Sequence, residues 1–105
     1  MDNHTKRKSN CVGLVILQWN CNGILAHQNE LKKHIVETDK KYDVICLQET
    51  FLKSGKNLFI PGYNIDRCDR KKGGRGGVLT LIKNSINFTP LPTPARMECI
   101  SIRIN

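Results

Sequence analysis

The chain has 105 residues, 17 Lys and Arg against 9 Asp and Glu, and a formal charge of +8 at neutral pH, which leaves room for at most one small domain. Leu, Ile, Val and Phe make up 29 of the residues and sit in compact runs, which excludes a chain kept disordered by its composition. No apolar stretch approaches the roughly 20 residues that cross a bilayer, and MDNHTKRKSN is polar where a signal peptide is apolar, so the sequence reads as intracellular with no membrane partner.

Residues 1–10 read as a basic polar tail. VGLVILQ, residues 12–18, is a short, nearly continuous apolar run rich in β-branched residues, the pattern of a strand buried on both faces. WNCNG follows and ends in Gly23. From about Gln28 to Lys40, Leu31, Ile35 and Val36 line one side while Glu30, Lys32, Lys33 and Glu37 cover the rest, which predicts an amphipathic helix. DVICLQ, residues 43–48, is a second apolar run. Strand, helix and strand thus follow at βαβ spacing, and the two strands should be parallel.

Beyond Glu49 comes a long loop with Lys53, Gly55, Lys56, Pro61 and Gly62, then a predicted strand at YNIDRCD. The basic segment RKKGGRGG interrupts the pattern. GVLTLIK is the next strand, and after a Pro-rich connection (Pro90, Pro92, Pro94) ECISIRI is the last, with Ile100, Ile102 and Ile104 alternating with Ser101 and Arg103. Asn105 follows this strand with no turn or polar tail, and an open apolar edge is a template for aggregation. The expectation is therefore the N-terminal portion of something larger. The five cysteines form no C-x-x-C pair and are read as small hydrophobes, not as zinc ligands or a disulfide framework.

Ligands of a βαβ unit gather beyond the carboxyl ends of its parallel strands, where the loops converge. Asn20 and Asn22 leave the first strand there and Glu49 leaves the second, so the three should face one another. Amide oxygens and a carboxylate are hard ligands of the kind Mg²⁺ accepts, with several waters kept. The alternative is that both asparagines cap the helix or shape the turn and that Glu49 is a solvated strand-end charge. Residues 53–75 carry Lys53, Lys56, Arg67, Arg70, Lys71, Lys72 and Arg75 against Asp66 and Asp69, a density that suits contact with a phosphate backbone, or else a solubilising loop. KKGGRGG lacks the G-K-[ST] ending of a P-loop, so nucleotide binding by that mechanism is not supported, and no small-molecule cofactor is expected.

QWNCNG, DVICLQET, GYNIDRCDR and GRGGVLTLI together, in this order, resemble the opening motifs of the endonuclease/exonuclease/phosphatase superfamily, in the spacing used by apurinic-type endonucleases of jockey-like non-LTR retrotransposons. The resemblance spans residues 14–104. It implies a DNase I-like, four-layered α/β sandwich, incomplete here, with residues 11–105 as its N-terminal portion. It also implies cleavage of DNA phosphodiesters with Mg²⁺ or Mn²⁺, a reverse transcriptase domain in the parent polypeptide, and a nuclear location.

Carried over, Glu49 matches the metal-binding glutamate and Asn20 the active-site asparagine, while Asn22 stands where some relatives carry an aspartate. Arg70, Lys71, Lys72 and Arg75 are the expected DNA contacts. The family's tyrosine, Asp-x-Asn pair and C-terminal Asp-His pair fall downstream of residue 105, and neither His27 nor His34 is expected to replace the histidine. Three readings remain open: a fragment of a retroelement nickase, a non-catalytic nucleic-acid-binding module, and another phosphoesterase of the superfamily such as a repair endonuclease.

Overall fold

The protein is described by a computed structural model, in residues 13–71 and 75–105. The elements run β1 (Ile16–Asn20), α1 (Ile24–Glu37), β2 (Val44–Gln48), β3 (Tyr63–Cys68), β4 (Val78–Lys83), β5 (Phe88–Leu91) and β6 (Ser101–Ile104). Four strands form a sheet in the order β1-β2-β4-β3, and β5 pairs with β6 in a second, two-stranded sheet. As the βαβ spacing requires, β1 and β2 are parallel, in register from Ile16↔Val44 to Asn20↔Gln48. β4 runs antiparallel to both β2 and β3.

The helix begins at Ile24, earlier than the predicted Gln28, because Gly23 (φ 97°) turns the chain there and Ile24, Leu31 and Ile35 form the buried stripe. It stops at Glu37 rather than Lys40. Asp39 and Lys40 adopt left-handed φ values of 56° and 55° and return their N–H groups to the Val36 and Ile35 carbonyls, while the Thr38 hydroxyl donates to the His34 carbonyl at 2.9 Å. The stripe packs on Ile45 and Leu47 of β2 and Leu79 and Leu81 of β4, with Leu52, Ile60 and Tyr63 closing the cluster. Burying each such side chain stabilises the fold by about 1.5–3 kcal/mol. The Tyr63 hydroxyl donates to the Tyr42 carbonyl at 2.7 Å, and burial pushes its phenol pKa up.

Two expectations are corrected. β1 is not buried on both faces: among the described residues it is an edge strand with β2 as its one strand neighbour, and Ile16 is 57% exposed. The Pro-rich connection contains a strand, β5, in which Pro90 stands opposite Ile102. Proline is admissible there because an edge strand can forgo one ladder N–H. No described helix is long and apolar enough to cross a membrane.

Candidate active site

Two loops leave the carboxyl ends of the parallel strands and are joined by their backbones. Cys21 N–H donates to the Gln48 carbonyl at 3.0 Å, Gly23 N–H to the Glu49 carbonyl at 2.8 Å, and Ile24 N–H to the Thr50 carbonyl at 3.0 Å. The Asn20–Asn22 segment is thereby held alongside Glu49, as its place in the βαβ unit requires. Asn22 (φ 48°), Glu49 (φ 58°) and Phe51 (φ 57°) are left-handed, three of the five non-glycine residues so disposed among the described residues. Such conformations cost about 1–3 kcal/mol each and concentrate where function demands a fixed geometry.

Asn20 and Asn22 are exposed and Glu49 is half-buried. Among the described residues none of the three side chains accepts or donates a hydrogen bond or joins an ion pair. The capping alternative is not realised, because the helix cap is Gly23 and no side chain bonds to it. Cys21 is buried, with its thiol donating to the Gln48 carbonyl at 3.3 Å. Burial is the main cause that pushes its pKa up, and the nearby Glu49 charge adds a smaller push.

Of the candidate histidines, His27 is within 2.8 Å of the Gly23 carbonyl through Nδ1 and edge-on to Trp19, and His34 meets the Tyr42 hydroxyl at 2.9 Å. Both are committed to the fold, as expected. No group of three His, Cys, Asp or Glu side chains gathers among the described residues. A carboxylate and two amides with no partner among the described residues fit a hard divalent ion that keeps most of its waters and do not fit zinc.

On the far side of Glu49 lies the start of β4. Thr50 N–H donates to the Gly77 carbonyl at 3.2 Å and Phe51 N–H to the Gly76 carbonyl at 2.8 Å. Gly76 and Gly77 both have φ near 90°, and a Cβ on Gly77 would stand 2.5 Å from Thr50 Oγ1, so neither position accepts a side chain. The basic segment is divided. Arg67 forks onto Asp69 at 2.7 Å and donates to the carbonyls of Lys56 and Lys53, which pins the 53–56 loop to the end of β3. Arg70 is held by Glu98 at 2.9 Å, through a carboxylate that sequence reasoning did not single out.

Lys53, Lys56, Lys71 and Arg75 are exposed and form no ion pair among the described residues. Arg75 rests over the Phe51 ring at 5.0 Å. Lys72 lies outside the described residues. Lys53, Arg70 and Lys71 line an open cleft of about 880 Å³.

Residues 17–105 match the Endonuclease/Exonuclease/phosphatase family. Over 74 residues the chain is 31% identical to the RNA-directed DNA polymerase from mobile element jockey of Drosophila melanogaster, covering 70% of this chain and 8% of the relative. Among solved structures it is similar to the Xenopus laevis APE2 catalytic domain, with 36% identity, a TM-score of 0.54, and 68% of this chain against 24% of that one covered. The AP endonuclease LMAP from Leishmania major gives 27% identity, a TM-score of 0.57, and coverages of 74% and 29%.

The chain thus spans less than a tenth of the jockey polymerase. It forms part of a DNase I-like fold, with one helix, a four-stranded sheet and a two-stranded sheet among the described residues. With the family matched over the sheet, both site loops and the glycine pair that backs them, the chain belongs to the Endonuclease/Exonuclease/phosphatase family.

Proposed function

We propose that this chain is the metal-holding N-terminal portion of a DNA endonuclease domain of the retroelement type, which nicks one strand of target DNA to prime reverse transcription. The observation that carries the reading is the Glu49 carboxylate, held in a left-handed turn alongside the Asn20–Asn22 segment, all three side chains without a partner among the described residues. Glu49 and Asn20, with Asn22 adjacent, would hold Mg²⁺ or Mn²⁺. When bound, such an ion polarises a phosphoryl oxygen and stabilises the charge of the leaving alkoxide. Lys71 and Arg75, with Lys72 beside them in sequence, would position the phosphate backbone, which fixes register without reading bases. The jockey relative's name supports a reverse transcriptase in the same polypeptide, and a nuclear site of action is part of the same proposal. The groups that orient the attacking water are expected downstream of residue 105, so this chain alone should not nick DNA.

The test is site-resolved. Substoichiometric Mn²⁺ should broaden the amide signals of Asn20, Asn22, Gly23 and Thr50, and Glu49→Gln should abolish the effect. Broadening that survives the substitution would remove Glu49 from the site. On the DNA arm, Arg75→Ala should flatten the log-log dependence of duplex affinity on salt by about 0.9, the share of one phosphate contact. A second reading, a repair-type phosphoesterase, is favoured by the 36% identity to the APE2 catalytic domain. Incision of abasic-site DNA, and not of undamaged supercoiled plasmid, by the chain joined to the sequence encoded in frame with it would select that reading.

A further inference from the structure

Glu98 is the single carboxylate in residues 70–105, a stretch that holds Arg70, Lys71, Lys72, Arg75, Lys83, Arg96 and Arg103. It does not spread its charge over these cations. Its Oε2 accepts Arg70 Nε at 2.9 Å, and its Oε1 accepts Arg70 Nη2 at 3.2 Å and the backbone N–H of Gly77 at 2.9 Å. The Arg70 guanidinium in turn lies so close over Gly76 that a Cβ there would collide with it. One carboxylate therefore bonds the Gly77 backbone directly and holds the arginine that lies over Gly76.

Those glycines carry the carbonyls that hold Thr50 and Phe51, the two residues after Glu49. The arrangement is under strain. Glu49 and Phe51 are left-handed, and Thr50 Oγ1 is buried against Gly77 with no hydrogen-bond partner among the described residues. A turn of this kind persists only where its surroundings over-determine it. The clamp is the α1 entrance on one side and the Gly76–Gly77 pair on the other, and only the second depends on a side chain remote in sequence.

We infer that Glu98 is a positioning residue for the Glu49 site: with Arg70 it latches Gly76 and Gly77, and through their carbonyls it sets the turn that presents the Glu49 carboxylate. Arg70 then belongs to the latch and is not a phosphate contact, which leaves Arg75, stacked over Phe51 and in no ion pair among the described residues, as the guanidinium for that role. The consequence for catalysis rests on the metal-holding reading of Glu49, whereas the latch itself does not.

Amide hydrogen exchange on the 105-residue chain tests the latch with no metal present. In Glu98→Ala the Thr50 and Phe51 amides should exchange about tenfold faster, the effect of losing a hydrogen bond to a charged group, while the Ile45 and Leu81 amides keep the wild-type rate. Glu98→Gln should restore most of the protection, because its amide oxygen can still accept the Gly77 N–H. Wild-type exchange at Thr50 and Phe51 in Glu98→Ala would overturn the inference. Acceleration spread evenly over β2 and β4, unrelieved in Glu98→Gln, would also overturn it, since Glu98 would then act on overall stability alone. Mn²⁺ titration reads the consequence: affinity should fall about tenfold in Glu98→Ala, as for other groups that orient a metal ligand, and recover in Glu98→Gln. If the wild-type chain shows no Mn²⁺ effect at Glu49, the metal reading falls while the exchange result still decides the latch.

Discussion

β4 and β6 are both short runs of branched apolar residues, yet four consecutive residues of β4, Leu79 to Ile82, are buried and none of β6 is. The difference is cover. β4 lies between β2 and β3, and its Leu79 and Leu81 join the cluster that the α1 stripe covers. β6 has β5 alone as a strand neighbour, and Phe88, Ile102 and Ile104 form an apolar face that is at most half-buried. Burial is thus a property of neighbours, and the cohesion of this chain resides in the four-stranded sheet.

The strongest way to break the comparison is to truncate one apolar side chain in each region. Leu47→Ala, at a fully buried position, should cost about 2–5 kcal/mol, a large share of the stability of a small domain. Ile102→Ala should cost less than about 1 kcal/mol. Urea unfolding at constant m-value measures both, and equal losses would mean that the hairpin shares the core.

A finer contrast uses two glycines with the same φ. Gly77→Ala combines a left-handed backbone at φ 90° with a Cβ placed 2.5 Å from Thr50 Oγ1, and should cost about 1–3 kcal/mol while disturbing the Thr50 amide. Gly62→Ala has the same φ and open space around it, so only the backbone penalty of about 1 kcal/mol applies. The difference between the two isolates the close packing behind the Glu49 turn. Equal losses would mean that Thr50 swings aside freely.

The same reasoning explains what could be read in advance. The parallel β1–β2 pair followed from strand, helix and strand spacing alone, and with it the meeting of Asn20, Asn22 and Glu49, because topology fixes which strand ends are neighbours. The apolar run at residues 12–18 misled because periodicity reports hydrophobicity and not the number of neighbours, so an edge strand looked central. The helix start was missed because its cap is a bare glycine turn, with no Ser, Thr, Asp or Asn side chain bonding to it. β5 was hidden by Pro90. The charge count over residues 53–75 sets Asp66 and Asp69 against its cations, and Asp69 does take Arg67, but it stops short of Glu98, the carboxylate that takes Arg70 and whose isolation among cations is visible in the sequence.

The smallest predicted effect concerns the joint between the two regions. Glu98 stands three residues before β6 and reaches back to Arg70 and Gly77 at the edge of the four-stranded sheet, so its carboxylate ties the hairpin side of the chain to the site. The Arg70 hydrogen bonds, and after them the Gly77 N–H, hold its pKa below the ordinary glutamate range. A carboxyl group depressed in the folded state stabilises that state above its unfolded pKa of about 4.3, and the contribution is lost as pH falls through the lower, folded value. Arg70 is exposed and Glu98 half-buried, and the surrounding cavity of about 400 Å³ also carries Asp69, Lys71 and Arg96, so screening keeps the effect small. Acid should therefore loosen the joint without unfolding the sheet. The Gly77 amide proton shift should titrate below pH 4.3, β5 and β6 amides should exchange faster under the same conditions, and Glu98→Gln should abolish the pH dependence of both. A Gly77 shift that titrates at the ordinary glutamate value, or that persists in Glu98→Gln, would mean that Glu98 does not hold Gly77 in solution and that the two regions are joined by the chain alone.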